Sequence, residues 1–75
     1  MKKYRSKNEQ SGVIAYDSGD DYIMVKFVDE TEYLYNENRP GKLHIEKMKT
    51  LAQDGEGLAT YINVNVRNNY FKKLN

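Results

Sequence analysis

Cysteine and tryptophan are missing from the 75 residues, histidine and proline occur once each, and no apolar run approaches the roughly 18 residues of a membrane span. Without cysteine there is no disulfide, no thiolate nucleophile and no cysteine-ligated zinc. The sole histidine, His44, has no second histidine or cysteine with which to share a metal and no positioned nucleophile to activate, so it reads as a core-edge or solvent histidine. The opening Met1-Lys2-Lys3-Tyr4-Arg5-Ser6-Lys7 is too polar for a signal peptide, and no Asn-x-Ser/Thr triplet occurs. A reducing, cytoplasmic setting is the expectation.

Catalytic constellations are equally scarce. Ser6, Ser11, Ser18, Thr31, Thr50 and Thr60 lie in no nucleophile-elbow setting, and Gly55-Glu56-Gly57 lacks the Lys-Ser/Thr that a phosphate loop requires. Asp17, Asp20 and Asp21 around Gly19 suit a hard cation, but Val28 stands where the bidentate glutamate of a calcium loop would fall. Asp29, Glu30 and Glu32 read as a solvated hairpin tip. We therefore expect no enzymatic activity, no cofactor, no metal and no small-molecule substrate.

What is present is one small α+β domain. A chain of this length buries only about 60% of the surface its unfolded form exposes, and seven tyrosines carry part of the core work. Because each hydroxyl needs a partner or water, several rings belong at core edges. The clearest signal is Tyr22 to Tyr35. Ile23, Val25 and Phe27 alternate with Tyr22, Met24 and Lys26, and a second run presents Tyr33 and Tyr35, the pattern of a β-hairpin. A two-residue turn at Asp29-Glu30 would put the two tyrosines on the outer face with Met24 and Lys26, whereas a three-residue turn puts them with Ile23, Val25 and Phe27. Tyr33 and Tyr35 are more apolar than Glu32, Leu34 and Asn36, which favours the second register. Val13-Ile14-Ala15-Tyr16 supplies a further strand, ended by the turn residues Asp17-Ser18-Gly19-Asp20-Asp21.

Residues 1 to 11, basic and anchored only by Tyr4, read as a flexible arm ahead of a single domain over 12 to 75. Pro40 fits the first turn of a helix whose stripe is Ile45, Met48, Leu51 and Ala52 and whose C-cap is Gly55. Leu43 lies off that stripe and is expected to pack near the helix start. Beyond Gly57 the pattern is ambiguous. Leu58, Ile62, Val66 and Tyr70 repeat every four residues as in a helix, yet Ile62, Val64 and Val66 alternate as in a strand, which local propensity prefers.

Charge is segregated more strongly than the net +1 suggests. Residues 1 to 11 sum to +3, residues 17 to 37 to −6 with seven acids against Lys26, and residues 38 to 75 to +4 with seven bases against three acids. A polyanion would therefore meet the ends of the chain and avoid the acidic turns. In the C-terminal half, aromatic rings and bases interleave: Tyr61, Arg67, Tyr70, Lys72 and Lys73, with Lys42, Lys47 and Lys49 on the first helix. Flat rings on which bases stack, beside cations that follow phosphates, are what single-stranded nucleic acid needs. The same residues serve equally well as packing rings and a solvated rim.

In order and spacing, several of these residues resemble the KTSC family. They are Ile14-Ala15-Tyr16-Asp17, the strand carrying Ile23, Val25 and Phe27, then Tyr33-Leu34-Tyr35, and finally Tyr61, Ile62, Asn63, Val66, Arg67 and Tyr70. The resemblance spans approximately residues 12 to 73. The family is named for a C-terminal appendage of some lysyl-tRNA synthetases and also occurs as small stand-alone bacterial or phage proteins. The chain departs from the pattern at the hairpin turn, where Glu30 replaces the usual glycine, and at Gly57-Leu58-Ala59, where the pattern has a Ser-x-Gly segment. The resemblance favours a helix over Tyr61 to Val66; Tyr33 and Tyr35 are read as structural, core-lining residues, and Asn63 as a structural residue bonding a backbone group near the Gly57 loop.

The reading is an α+β fold: a three-stranded antiparallel meander over approximately 12 to 17, 22 to 28 and 32 to 36, followed by one main helix and a second short helix packed on the sheet. The expected partner is RNA, either tRNA or single-stranded, bound by a non-catalytic accessory module. The alternative is a protein partner or a second copy of the chain, meeting the sheet edge or a half-exposed tyrosine face.

Overall fold

The computed structural model describes residues 1–4 and 12–74. Its centre is an antiparallel sheet in which every strand neighbours the next in sequence: β1 (Lys2–Lys3), β2 (Val13–Ser18), β3 (Tyr22–Phe27), β4 (Glu32–Asn36) and β5 (Lys72–Lys73). The three expected strands are β2 to β4. The sheet has five strands rather than three because a lysine pair from each end of the chain docks on its edges.

The expected arm is corrected for its first residues. Lys2 pairs with Tyr16 and Lys3 with Ala15, and Tyr4 is buried. Its ring meets Tyr16 edge-on at 6.4 Å between centroids, and its amide donates to the Ile14 carbonyl at 2.9 Å. Burial of the Tyr4 ring in the cluster that holds Val13 and Tyr16 is what keeps a basic segment there. The remainder of the expected arm, 5 to 11, lies outside the described residues.

The hairpin register follows the apolar pattern. Ile23 faces Tyr35 and Val25 faces Tyr33, so the tyrosines share the inner face of the sheet. Phe27 and Thr31 close a three-residue turn in which the Phe27 amide donates to the Thr31 carbonyl at 2.9 Å. Such a loop needs a left-handed residue at its third position, and Glu30 takes it with φ 70°. Asp29 secures the turn by accepting from the Thr31 hydroxyl at 2.7 Å and the Thr31 amide at 3.1 Å. In β2 an irregularity between Val13 and Ala15 leaves Ile14 as the extra residue, and it is exposed.

Helix α1 (Lys42–Asp54) buries Ile45, Met48 and Ala52 and ends at Gly55, whose left-handed conformation lets its amide reach the Leu51 carbonyl. Two expectations fail at its start. Pro40 is not in the first turn: the Asn36 side chain accepts from the Asn38 and Arg39 amides, each at 3.0 Å, closing a turn that sets Pro40 beside Asn36 and leaves Gly41 as N-cap. Leu43 is 87% exposed, because two residues before Ile45 is about 200° around the helix, on its solvent side.

After Gly57 comes a short helix, α2 (Leu58–Tyr61), continued by a π-helical turn over Ile62–Val66. The strand alternative is excluded: Leu58, Ile62 and Val66 are buried while Val64 is 75% exposed. A four-residue repeat is longer than the 3.6 residues of an α turn, and the wider π turn takes up the difference so that all three side chains stay on one side. All helical segments cover the inner face, where they enclose Val13, Tyr16, Ile23, Val25 and Tyr35. Among the described residues no helix is long and apolar enough to cross a membrane.

Candidate nucleic-acid interface

Tyr33 is the centre of the only aromatic chain that reaches the surface among the described residues. It lies in β4 next to the docked tail, and its ring meets Phe27 edge-on at 5.8 Å between centroids and Tyr70, tilted, at 4.8 Å. Pairing of Lys73 with Tyr33 in the β4–β5 register brings the Lys73 ammonium to 6.0 Å from the Tyr33 ring centroid, at the limit of cation–π attraction. All three rings are half-buried.

Beside this chain, between the β3–β4 turn and the end of the π turn, is an open cleft of about 400 Å³. Phe27, Tyr33, Tyr35 and Ile62 form its apolar side; Asn63, Arg67 and Asn68 form its polar side. Arg67 is exposed. Asp29 is also at the rim, and the Thr31 hydroxyl and amide hold its carboxyl below the usual carboxylate range, with Lys73 assisting. Tyr35, at the bottom, has its phenol pushed well above the ordinary tyrosine value, first by burial and then by Tyr33 and Tyr70.

Of the eight residues expected to contact nucleic acid, the structure gathers Arg67, Tyr70 and Lys73 around Tyr33. The others are elsewhere. Lys72 points to the opposite face of the sheet, because neighbouring strand residues alternate. Lys49 is engaged, with its ammonium 3.3 Å from Glu46 and 3.4 Å from the Asp20 carbonyl in the β2–β3 turn, which is at the far end of β3 from the cleft. Tyr61 joins α2 to α1 through a 2.6 Å hydrogen bond between its hydroxyl and His44 Nδ1, so both side chains are structural. Lys42 and Lys47 are exposed on α1.

Asn63 differs from its expected role. It lines the cleft, and the backbone bond in this segment is made by Asn65, whose amide donates to the Tyr61 carbonyl at 3.2 Å. Two contributors were not legible in the sequence: Phe27 as part of the aromatic chain, and Arg39, which donates to Asn69 Oδ1 at 2.8 Å and ties the α1 approach to the segment carrying Tyr70. No local signal marks that pair, which is 30 residues apart in the chain. Among the described residues no group of three His, Cys, Asp or Glu side chains is placed to hold a metal ion.

Comparison with known proteins gives no further name to this arrangement: no family model, no curated protein and no solved structure matches the chain.

Proposed function

We propose that the chain is a non-catalytic accessory module that binds single-stranded RNA, or an unpaired region of tRNA, at the cleft beside Tyr33. The observation that carries this reading is the Phe27–Tyr33–Tyr70 chain with Lys73 over its central ring and Arg67 at the adjoining rim. A base stacked on an aromatic side chain contributes on the order of 1 to 3 kcal/mol whatever its identity. Arg67 and Lys73 supply phosphate contacts, while the Asn63 and Asn68 amides can donate to or accept from a base edge. Exposed Lys42 and Lys47 add to the field without belonging to the cleft, and Lys49 is no part of it. The KTSC-like pattern points the same way, and a small bacterial or phage protein of the cytoplasm is the setting it implies.

Chemical-shift mapping during titration with mixed tRNA and with a short unstructured RNA, at low and near-physiological salt, tests the proposal. Shifts should centre on Phe27, Tyr33 and Arg67 to Lys73. Replacing Arg67 or Lys73 by alanine should each lower the salt slope by about 0.7, the value for one phosphate contact on a single strand. Absence of shifts at low salt, or shifts confined to α1, would refute it.

A further inference from the structure

The helices cover one face of the sheet; the other is bare among the described residues. Its side chains fall into lateral rows that the strand registers define. One row runs Asp17, Met24, Leu34, Lys72 across β2 to β5. The next starts with Lys3 of β1, runs Ala15, Lys26, Glu32, and continues to Leu74, whose amide donates to the Glu32 carbonyl at 2.8 Å. A third holds Tyr22 beside Asn36. Met24, Leu34 and Tyr22 line a shallow depression on this face, and Leu74 is 41% exposed.

These rows are complementary to themselves. Consider a second copy turned by 180° about an axis parallel to the strands and midway between β3 and β4. Met24 then meets the partner copy's Leu34, Asp17 meets its Lys72, Lys26 meets its Glu32, and Ala15 meets its Leu74. Across β2 to β5 every charge on these two rows faces the opposite charge, the apolar pair is at the middle, and Lys3 of β1 overhangs the partner's β5 edge. Two sheets packed face to face cross at about 30° because of their twist, which displaces the outer strands by only about 4 Å at strand spacings near 4.8 Å. Lysine stems span that offset.

The sheet edges offer no such match. Both are two-residue strands of lysines, Lys2–Lys3 and Lys72–Lys73, short and of like charge, which is how edges are kept from pairing. From the face we infer that this protein forms an isologous dimer through the uncovered side of its sheet, the occupant being a second copy of the same chain. Four strands by five residues cover roughly 300 Å² in plan, well below the roughly 800 Å² per partner of a standard interface. The dimer is therefore weak and exchanges rapidly. It leaves the Tyr33 cleft, on the other side of the sheet, free.

Sedimentation velocity of the full chain without nucleic acid, from about 10 μM to about 1 mM, tests the inference, since weak complexes of this size populate only at the upper end of that range. The wild type should pass from monomer to dimer. Lys72→Glu and Asp17→Lys should each weaken association about tenfold or more, because each places two like-charged pairs at the interface. The double variant D17K/K72E should restore it. Within one chain these two positions are three strands, or about 14 Å, apart, beyond the Debye length of about 8 Å at physiological salt, so recovery reports contact between copies. Circular dichroism verifies that the variants fold, and Leu34→Asp should give a monomer if they do. A strict monomer up to 1 mM, or a double variant that associates no better than the single ones, would overturn the inference.

Discussion

Replacing Tyr4 by phenylalanine and by alanine should move stability in opposite directions. The ring is 4% exposed and packs edge-on against Tyr16. Its hydroxyl is buried close to the Leu58 amide, without the geometry of a hydrogen bond to it or to any other described group. An unsatisfied buried hydroxyl costs about 1 to 3 kcal/mol, so phenylalanine, which keeps the ring and drops that oxygen, should stabilise by about 1 kcal/mol. Alanine removes the ring; aromatic-to-alanine changes in a core cost about 3 to 5 kcal/mol, reduced here by the same roughly 1 kcal/mol for the orphan hydroxyl to a net of about 2 to 4 kcal/mol. In a domain this small each kcal/mol moves the midpoint by about 4 to 8 °C. Thermal and urea unfolding followed by circular dichroism should therefore show the phenylalanine variant above wild type and the alanine variant more than about 8 °C below it. An alanine variant within about 0.5 kcal/mol of wild type would mean that the N-terminal residues do not belong to the core. A clearly destabilised phenylalanine variant would mean that the hydroxyl has a partner, and either result refutes the argument.

Alkaline pH should act through the buried phenols. Tyr35 and Tyr4 are raised above the ordinary tyrosine value by burial, so the fold favours their neutral forms; the stability they contribute is intact below pH about 10 and is lost as pH rises from there. Urea midpoints at pH 8, 10 and 11 should fall at the upper end, less steeply for Tyr35→Phe. A parallel loss in that variant would exclude Tyr35 as a cause. Glu30→Gly should stabilise by up to about 1 kcal/mol: the left-handed φ of 70° costs an L-residue about 1 to 2 kcal/mol, offset partly by the looser unfolded chain. Unfolding curves that place it below wild type would show that the Glu30 side chain outweighs its backbone strain.

Much of this architecture was legible from residue order. Alternation in β3 and β4 located the hairpin, and the apolarity of Tyr33 and Tyr35 selected a register because a one-residue slip would have put both rings in water. The α1 stripe and its glycine end were equally local. Leu58 to Val66 was not, since a four-residue repeat and a two-residue alternation coexist there, and only burial against the sheet decides between them.

Local chemistry in the sequence therefore determined the hairpin, the main helix, the lack of thiol chemistry and the segregation of charge, all of which depend on residues a few positions apart. Tertiary structure alone decided that lysine pairs from the two ends would become edge strands. It also separated Lys72 and Lys49 from Arg67 and Lys73, and set Asp17 in one row with Lys72, 55 positions later in the chain. Those outcomes rest on contacts between distant segments, whose gain in burial is realised only once the sheet exists to receive them.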